Sequence, residues 1–234
     1  MRILGFIESS LIDWDGKIVS VIFLGGCNFK CPFCQNHPVA KDSKQLKEID
    51  WLTVEKKLKE KSDWLDGVVV TGGEPCIHPE IFGLCRQIKD LGFNVKIDTN
   101  GYYPYILMKL TENNLVDYVA MDIKTFLDQH YEKACGRNLE LGLIERTIQL
   151  LLTEKVDYEF RTTLVPKIVG EPEIKQIVDL IAGARLYALQ QYVPENARTA
   201  FYRKQKPISK KEAEKLVLLA KARVKKVRLR GKFS

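Results

Sequence analysis

The chain has 234 residues, 45% hydrophobic and 29% charged. These are the proportions of a folded globular protein, which excludes disordered, collagenous and low-complexity scaffolds. No apolar run approaches the roughly 20 residues that cross a bilayer. Met1–Gly5 lacks the charged and apolar regions of a secretory leader, so a cytoplasmic location and no membrane partner are expected. The net charge of +7 is uneven: residues 203–234 hold 13 Lys/Arg against 2 Asp/Glu, a balance of +11, while the other 202 residues stand at −4. A basic tail can meet nucleic acid, an acidic protein or a membrane face. No aromatics are interleaved with these charges as a base-stacking platform requires. Nucleic acid is therefore not the expected partner, and a solvated helix is the plainer reading.

Short β-branched runs alternate with helical patterns along the chain. Strands are expected at Lys17–Leu24, Gly67–Thr71, Asn94–Asp98, Tyr118–Asp122, Asp157–Leu164 and Arg185–Tyr192. Helices fall between them near Trp51–Ser62, Pro79–Leu91, Tyr105–Asn113, Leu139–Thr153 and Glu171–Ala182, with a last helix at Lys210–Arg223. Val224–Arg230 alternates in part and is expected to add an edge strand whose charges discourage pairing with another chain. Runs such as Val68-Val69-Val70 are apolar throughout, as in a parallel sheet covered on both faces. No repeat or flexible linker divides the chain. Six β/α repeats are fewer than the eight of a complete barrel of about 250 residues. The expected fold is α/β: one domain over residues 1–234, a partial (β/α)6 TIM-like barrel of parallel strands. Its core lies at about 17–194, with a basic helix and tail at 203–234. A doubly wound sheet is the alternative. In both, ligands gather at the C-terminal ends of the strands, so the residues just past each strand carry the functional signal.

After the first expected strand come Gly25-Gly26 and then Cys27-Asn28-Phe29-Lys30-Cys31-Pro32-Phe33-Cys34. Three of the six cysteines, Cys27, Cys31 and Cys34, thus lie on one short loop with C-x3-C-x2-C spacing. Soft thiolates select iron–sulfur clusters, zinc or Cu(I). Three protein ligands leave one position open, as a catalytic site does. A closed zinc site with His37 as fourth ligand is the alternative on this loop. The second strand is followed by Thr71-Gly72-Gly73-Glu74-Pro75, whose glycines let backbone approach a ligand closely and whose Glu74 offers an acceptor to an ammonium group. The third is followed by Asp98-Thr99-Asn100-Gly101 and the fourth by Asp122-Ile123-Lys124-Thr125; the fifth carries Arg161-Thr162-Thr163. Each is weak alone, but together they deliver polar residues from successive strands to one rim.

The loop and the rim together resemble the radical S-adenosylmethionine superfamily. Cys27, Cys31 and Cys34, with Phe33 before the last, match its cluster motif; Gly72-Gly73-Glu74-Pro75 matches its methionine-binding motif. The resemblance runs from Leu24 to about Pro194. Ser10–Lys17, Gly26–Phe29, Asp98–Gly101 and Asp122–Lys124 further resemble the glycyl-radical-enzyme activases, above all those of anaerobic ribonucleoside-triphosphate reductase. That resemblance implies a [4Fe–4S] cluster on Cys27, Cys31 and Cys34, with S-adenosylmethionine on the fourth iron. Gly72, Gly73 and Glu74 would receive the methionine ammonium, Phe33 the adenine and Lys124 the carboxylate, ordered by Asp122, with Arg161 nearby. A monovalent cation would lie among Asp98, Thr99 and Asp122. Reductive cleavage of S-adenosylmethionine would give a 5′-deoxyadenosyl radical, aimed at one glycine of a partner enzyme, and a low-potential electron donor would be needed. No side chain would act as acid or base. The alternative is a radical enzyme acting on a small molecule or on RNA.

The other cysteines have plainer readings. Cys85 shares a helical face with Ile81, Leu84, Ile88 and Leu91, which suits core packing. Cys76 comes just after the glycine turn, near the expected site. Cys135 is read as a loop residue, with contact to a partner as the alternative. His78 and His130 are read as structural or exposed. Some relatives place a His at the end of the last strand, where this chain has Gln190-Gln191-Tyr192.

Overall fold

The computed structural model describes residues 1–233. Its eight strands are β1 (Ile3–Ser10), β2 (Val19–Leu24), β3 (Gly67–Gly72), β4 (Asn94–Thr99), β5 (Tyr118–Asp122), β6 (Asp157–Thr163), β7 (Tyr187–Gln190) and β8 (Val227–Arg230). They form one sheet in sequence order. β1 runs antiparallel to β2; every other neighbouring pair is parallel. The helices are α1 (His37–Ala40), α2 (Trp51–Lys59), α3 (Ile81–Asp90), α4 (Pro104–Glu112), α5 (Gln129–Cys135), α6 (Leu141–Leu152), α7 (Glu171–Leu180), α8 (Ala200–Arg203) and α9 (Lys210–Lys221). None is long and apolar enough to cross a membrane.

The six expected strands and six expected helices all form, most with boundaries shifted by one to three residues. Local chemistry explains several starts. Asp50 caps α2 by accepting from Thr53 N at 2.9 Å. Ser209 and Glu212 form a reciprocal capping box at the start of α9. β1 is an addition to the expected elements. Its burial runs in pairs, Ile3 and Leu4 both buried, and not in the strict alternation that marks a half-buried strand. It forms because β2 offers it an edge.

The strands have two faces of opposite character. One face carries Ile22, Leu24, Val68, Val70, Val95, Ile97, Val119 and Phe160, which pack in the main core with the buried residues of the helices. The other begins apolar at the N-terminal ends of the strands, where Val19, Val21, Val69 and Trp14 form a separate small cluster. Trp14, from the β1–β2 connection, stacks obliquely on Tyr118 at 5.5 Å and closes that end. Further along, the same face is charged. Lys96 is 1% exposed and lies 3.6 Å from both Asp98 and Glu159. Glu159, also 1% exposed, accepts from both terminal nitrogens of Arg230 at 2.7 and 2.6 Å. Arg230 also reaches Asp15 at 2.9 Å, and Arg228 pairs with the same carboxylate.

The basic C-terminal stretch is therefore part of the sheet and not a solvated appendage. The expected edge strand is present as β8, paired from Tyr187↔Val227 to Gln190↔Arg230. Its charges also pair within the chain: Arg230 neutralises Glu159 of the inner face, and Arg228 and Arg230 both meet Asp15 of the β1–β2 connection. Burial pushes the Glu159 carboxyl up, but Arg230, Lys96 and Arg161 outweigh it and hold the group below its ordinary range. Removing one partner of such a pair leaves a buried charge uncompensated. We expect Arg230→Ala to cost about 3–5 kcal/mol in urea unfolding, whereas Lys226→Ala, whose side chain bonds nothing among the described residues, should fall within about 0.5 kcal/mol of the unaltered chain.

Candidate active site

Two glycine turns bring the C-terminal ends of β2 and β3 into contact. Gly73 N donates to Leu24 O, and Glu74 N to Gly26 O, both at 2.9 Å. A Cβ on Gly73 would lie 1.7 Å from the Gly26 carbonyl oxygen, so only glycine permits this approach. His78 lies behind the turn, its Nε2 2.7 Å from Gly25 O, which gives this histidine the structural place expected of it.

The cysteine loop emerging from this turn is held from three directions. From the end of β4, Asn100 Nδ2 donates to Asn28 Oδ1 at 2.8 Å. From the end of α5, Cys135 O accepts from Lys30 N, and Arg137 Nη1 donates to Asn28 O, both at 2.8 Å. From the segment after β7, Thr199 N and Oγ1 donate to Pro32 O at 3.0 and 3.2 Å. Within the loop, Phe29 N donates to Cys27 Sγ at 3.3 Å.

The loop covers a cavity of about 420 Å³ at the strand ends. Eleven of the twelve expected site residues line it: Cys27, Cys31, Cys34, Phe33, Gly72, Gly73, Asp98, Thr99, Asp122, Lys124 and Arg161. Glu74 does not. It is fully buried behind the glycine turn, where Oε1 accepts from Thr99 Oγ1 at 2.8 Å and Cys76 N at 3.0 Å, and Oε2 accepts from Asn100 N at 2.6 Å. Its visible work is to lock β3 to β4. Burial pushes its carboxyl up against the pull of those three donors. Cys76 is buried on the same network, outside the cavity lining.

The far wall is ionic. Arg161 donates through Nε to Asp122 at 2.8 Å and through Nη1 to Asp98 at 2.9 Å, and Lys124 reaches Asp122 at 3.0 Å. Burial alone would raise the Asp122 carboxyl, but Arg161 and then Lys124 hold it far below its ordinary range. Burial would likewise lower Lys124 and Arg161, yet the facing carboxylates keep both firmly protonated. Asp98 Oδ1 is buried without a hydrogen bond, and the Lys96 ammonium lies 3.6 Å from it as its ion-pair partner.

All six cysteines are free thiols. Burial, then Glu74, pushes Cys27 up to about 12. Burial, then Cys31, raises Cys34. Cys31 is shifted the other way by a hydrogen bond from Cys135, helped against burial by Lys124 and Arg198. Cys135 is thus neither on a loop nor open to a partner: it ends α5, fully buried against the cluster loop. Cys85 lies in the core as expected.

The donor chemistry suits an iron–sulfur cluster: three soft thiols share one cavity, an N–H donates to one sulfur, and fixed cations face the others. The alternative zinc site needs a compact tetrahedron of ligands. No three His, Cys, Asp or Glu side chains among the described residues converge in that way.

The sequence motifs miss several cavity residues: Asp13, Asn36, Gln190 and Gln191 line it too. Gln190 ends β7 and Gln191 follows it. Asn36 donates to Gly72 O at 3.4 Å. Asn36 is marked in the sequence only by following the cysteine loop; Asp13 lies in the Ser10–Lys17 stretch, and Gln190 and Gln191 at the end of β7.

A parallel barrel segment with a three-thiol loop over its C-terminal mouth defines a class of cluster-dependent α/β enzymes. Comparison with known proteins names the family. The chain belongs to the radical SAM superfamily, whose family model matches residues 21–181. It is 34% identical to a Methanocaldococcus jannaschii protein provisionally named a glycyl-radical enzyme activating enzyme, over 97% of this chain and 94% of that one. It is 31% identical to the pyruvate formate-lyase-activating enzyme of Clostridium pasteurianum, over 76% of each. The fold is shared with Streptococcus suis SuiB bound to its precursor peptide SuiA (TM-score 0.70, 15% identity, 91% of this chain and 48% of that one). It is also shared with a domain of the pyruvate-formate lyase-activating enzyme of Bacteroides vulgatus (TM-score 0.57, 18% identity, 70% of this chain and 99% of that one). The expected partial barrel is confirmed, with β1 and β8 added to its six strands.

The ionic wall makes a signed prediction. Asp122 is depressed in the folded chain, so its stabilisation is present above the unfolded carboxylate value of about 3.9 and is lost as pH falls through the lower folded value. The excess of the unaltered chain over Asp122→Asn in urea midpoint should therefore be constant above about pH 5 and shrink below about pH 4.

Proposed function

We propose that the chain cleaves S-adenosylmethionine reductively on a [4Fe–4S] cluster and places a glycyl radical on a partner enzyme, for which anaerobic ribonucleoside-triphosphate reductase is our choice. The observation that carries the cofactor reading is the meeting of three free thiols, an open glycine backbone and the Asp122–Lys124–Arg161 set in one cavity. The activase reading rests on the name of the relative that matches nearly the whole chain, and the choice of reductase on the resemblance at Ser10–Lys17. The free thiols suit a reducing compartment, and we place the protein in the cytoplasm.

Cys27, Cys31 and Cys34 would hold the cluster. When bound, the cluster and S-adenosylmethionine supply a carbon radical able to take a hydrogen atom from an aliphatic C–H bond. The chain's own part is binding, orientation and dryness. Gly72, Gly73 and Glu74 would receive the methionine ammonium: the two glycines line the cavity, and Glu74, engaged by Thr99, Asn100 and Cys76, lies behind them. Lys124 stays protonated beside Asp122 and would pair with the methionine carboxylate. Phe33, held edge-on to Tyr202 at 6.0 Å, is the apolar wall for the adenine. A monovalent cation among Asp98, Thr99 and Asp122 would share Asp98 Oδ1 with Lys96, whose ammonium lies 3.6 Å from it. No group in the cavity is needed as acid or base.

The test is anaerobic reconstitution with iron and sulfide, reduction, and addition of S-adenosylmethionine. We expect a reduced-cluster paramagnetic signal that shifts with the cofactor, and formation of 5′-deoxyadenosine. With the reductase present, we expect a glycyl radical on it. Cys27→Ala, Cys31→Ala and Cys34→Ala should each lose most bound iron and at least ~100-fold of cleavage. Cleavage with no glycyl radical on any partner enzyme would redirect the chain to a small-molecule or RNA substrate. About one zinc per chain in place of a cluster would end the cofactor reading.

A further inference from the structure

Asn100 directly follows β4, is 6% exposed and lines the cavity. Its backbone N donates to Glu74 Oε2 at 2.6 Å, and its side-chain Oδ1 accepts from Tyr102 N at 3.0 Å. The second of these bonds fixes the amide, so its NH2 group meets the cysteine loop. Nδ2 donates to Asn28 Oδ1 at 2.8 Å and lies 3.9 Å from Cys27 Sγ. An amide nitrogen carries two hydrogens. Asn28 takes one, and the other is left for the sulfur.

The surroundings of Cys27 give that donor its weight. Glu74, whose own partners are all neutral donors, is the charge that most opposes a thiolate at Cys27. Asn28 Oδ1, an acceptor, also lies 3.9 Å from Cys27 Sγ. A thiolate there would face an acceptor and a nearby carboxylate, with Phe29 N at 3.3 Å and Asn100 Nδ2 as the N–H groups that meet it. Asn100 therefore stands between two anions and donates towards both. The orientation of Asn28 is kept at a cost. With Oδ1 turned to Asn100, Asn28 Nδ2 is buried with no hydrogen-bond partner. Turning that amide over would set its NH2 group against that of Asn100. A buried donor left unbonded is destabilising, and a folded chain keeps one where another contact depends on the arrangement.

We propose that Asn100 is a positioning residue that sets how readily the cluster is reduced: its side-chain amide faces Cys27 Sγ and stabilises the extra negative charge that reduction brings to that sulfur. The inference rests on the cluster reading under Proposed function. One electron passes from a low-potential donor, which is left oxidised, to the cluster; no bond is made or broken. A ligand sulfur is the stronger acceptor in the reduced state, so an N–H group beside it favours that state and raises the reduction potential. Asn100 acts through Cys27, and its backbone bond to Glu74 holds the amide in place. One residue thus joins the glycine turn to the cysteine loop.

The experiment is a redox titration of the reconstituted full-length protein without S-adenosylmethionine, followed by the paramagnetic signal of the reduced cluster. Leaving the cofactor out removes any effect that a side chain has on its binding. Variants are compared at the potential that half-reduces the unaltered protein. Asn100→Leu keeps the volume and loses the amide, and we expect the ratio of reduced to oxidised cluster to fall at least ~3-fold. Asn100→Ala, a smaller residue for the same place, should fall likewise. Asn28→Ala removes the tie between the loop and β4 and the unbonded donor, but leaves the Asn100 amide beside Cys27; its ratio should stay within ~2-fold of the unaltered protein. Circular dichroism and iron content verify that each variant folds and loads, and either Asn100 variant that loads suffices for the comparison. An unchanged ratio in the Asn100 variants overturns the proposal. So do equal falls in the Asn100 variants and in Asn28→Ala, since the tie and not the donor would then be what counts. Failure of the unaltered protein to load a cluster, or to give a reduced signal, is a failure of the cofactor reading itself and is seen before any variant is titrated.

Discussion

Asp122 is the residue on which the site depends. Its carboxylate sits where burial alone would neutralise it, and it stays ionised because Arg161 and Lys124 both face it. Arg161 in turn reaches Asp98, so one guanidinium ties the C-terminal ends of β4, β5 and β6. Lys96 links Asp98 to Glu159, and Glu159 to Arg230 on β8. The inner face of the sheet is thus a row of alternating charges, each tolerable only beside the next. Such a row resists rearrangement, because moving any member leaves a neighbour unpaired. It therefore presents Lys124 to the cavity as a fixed cation, and fixed charge is what a binding site for a zwitterionic cofactor requires.

The opposite wall is built from backbone. Gly26 and Gly73 pass within a distance that admits no side chain, and Glu74 pins the turn from behind through three donors. The Gly-Gly-Glu run thus has two jobs: the glycines let the ends of β2 and β3 meet at the cavity wall, and the carboxylate holds the turn still. The cysteine loop lies over this wall and is tied down by β4, α5 and the segment after β7. Contacts from three separate parts of the chain hold the loop over the cavity.

Much of this is legible in the sequence. The strand and helix periods of the central repeats need no tertiary information: β2 and β3 read as apolar runs, and β4 and β6 alternate apolar with polar residues. The three-cysteine loop, the glycine turn, and Asp98, Asp122, Lys124 and Arg161 stand out by their place at strand ends, and the rule that ligands gather there brings them to one rim. Where sequence and structure differ, the reasons are physical. β1 has no clean period because its first residues are buried on both sides. Cys135 resembles a loop residue because Gly136 and Arg137 come next, but Gly136 is the left-handed cap of α5. Arg228 and Arg230 resemble solvated charges because their partners, Asp15 and Glu159, are far away in sequence.

The sequence by itself determined the element order, the parallel α/β class and the chemistry of the ligand set, because these depend on local periodicity and on residue type. Only the tertiary structure decided which charges pair, that Glu74 faces inward to Thr99 and Asn100, and that Val193–Lys204 lies against the cysteine loop. Those facts depend on contacts between residues tens to hundreds of positions apart, and pairwise burial of charge leaves no periodic trace in the chain.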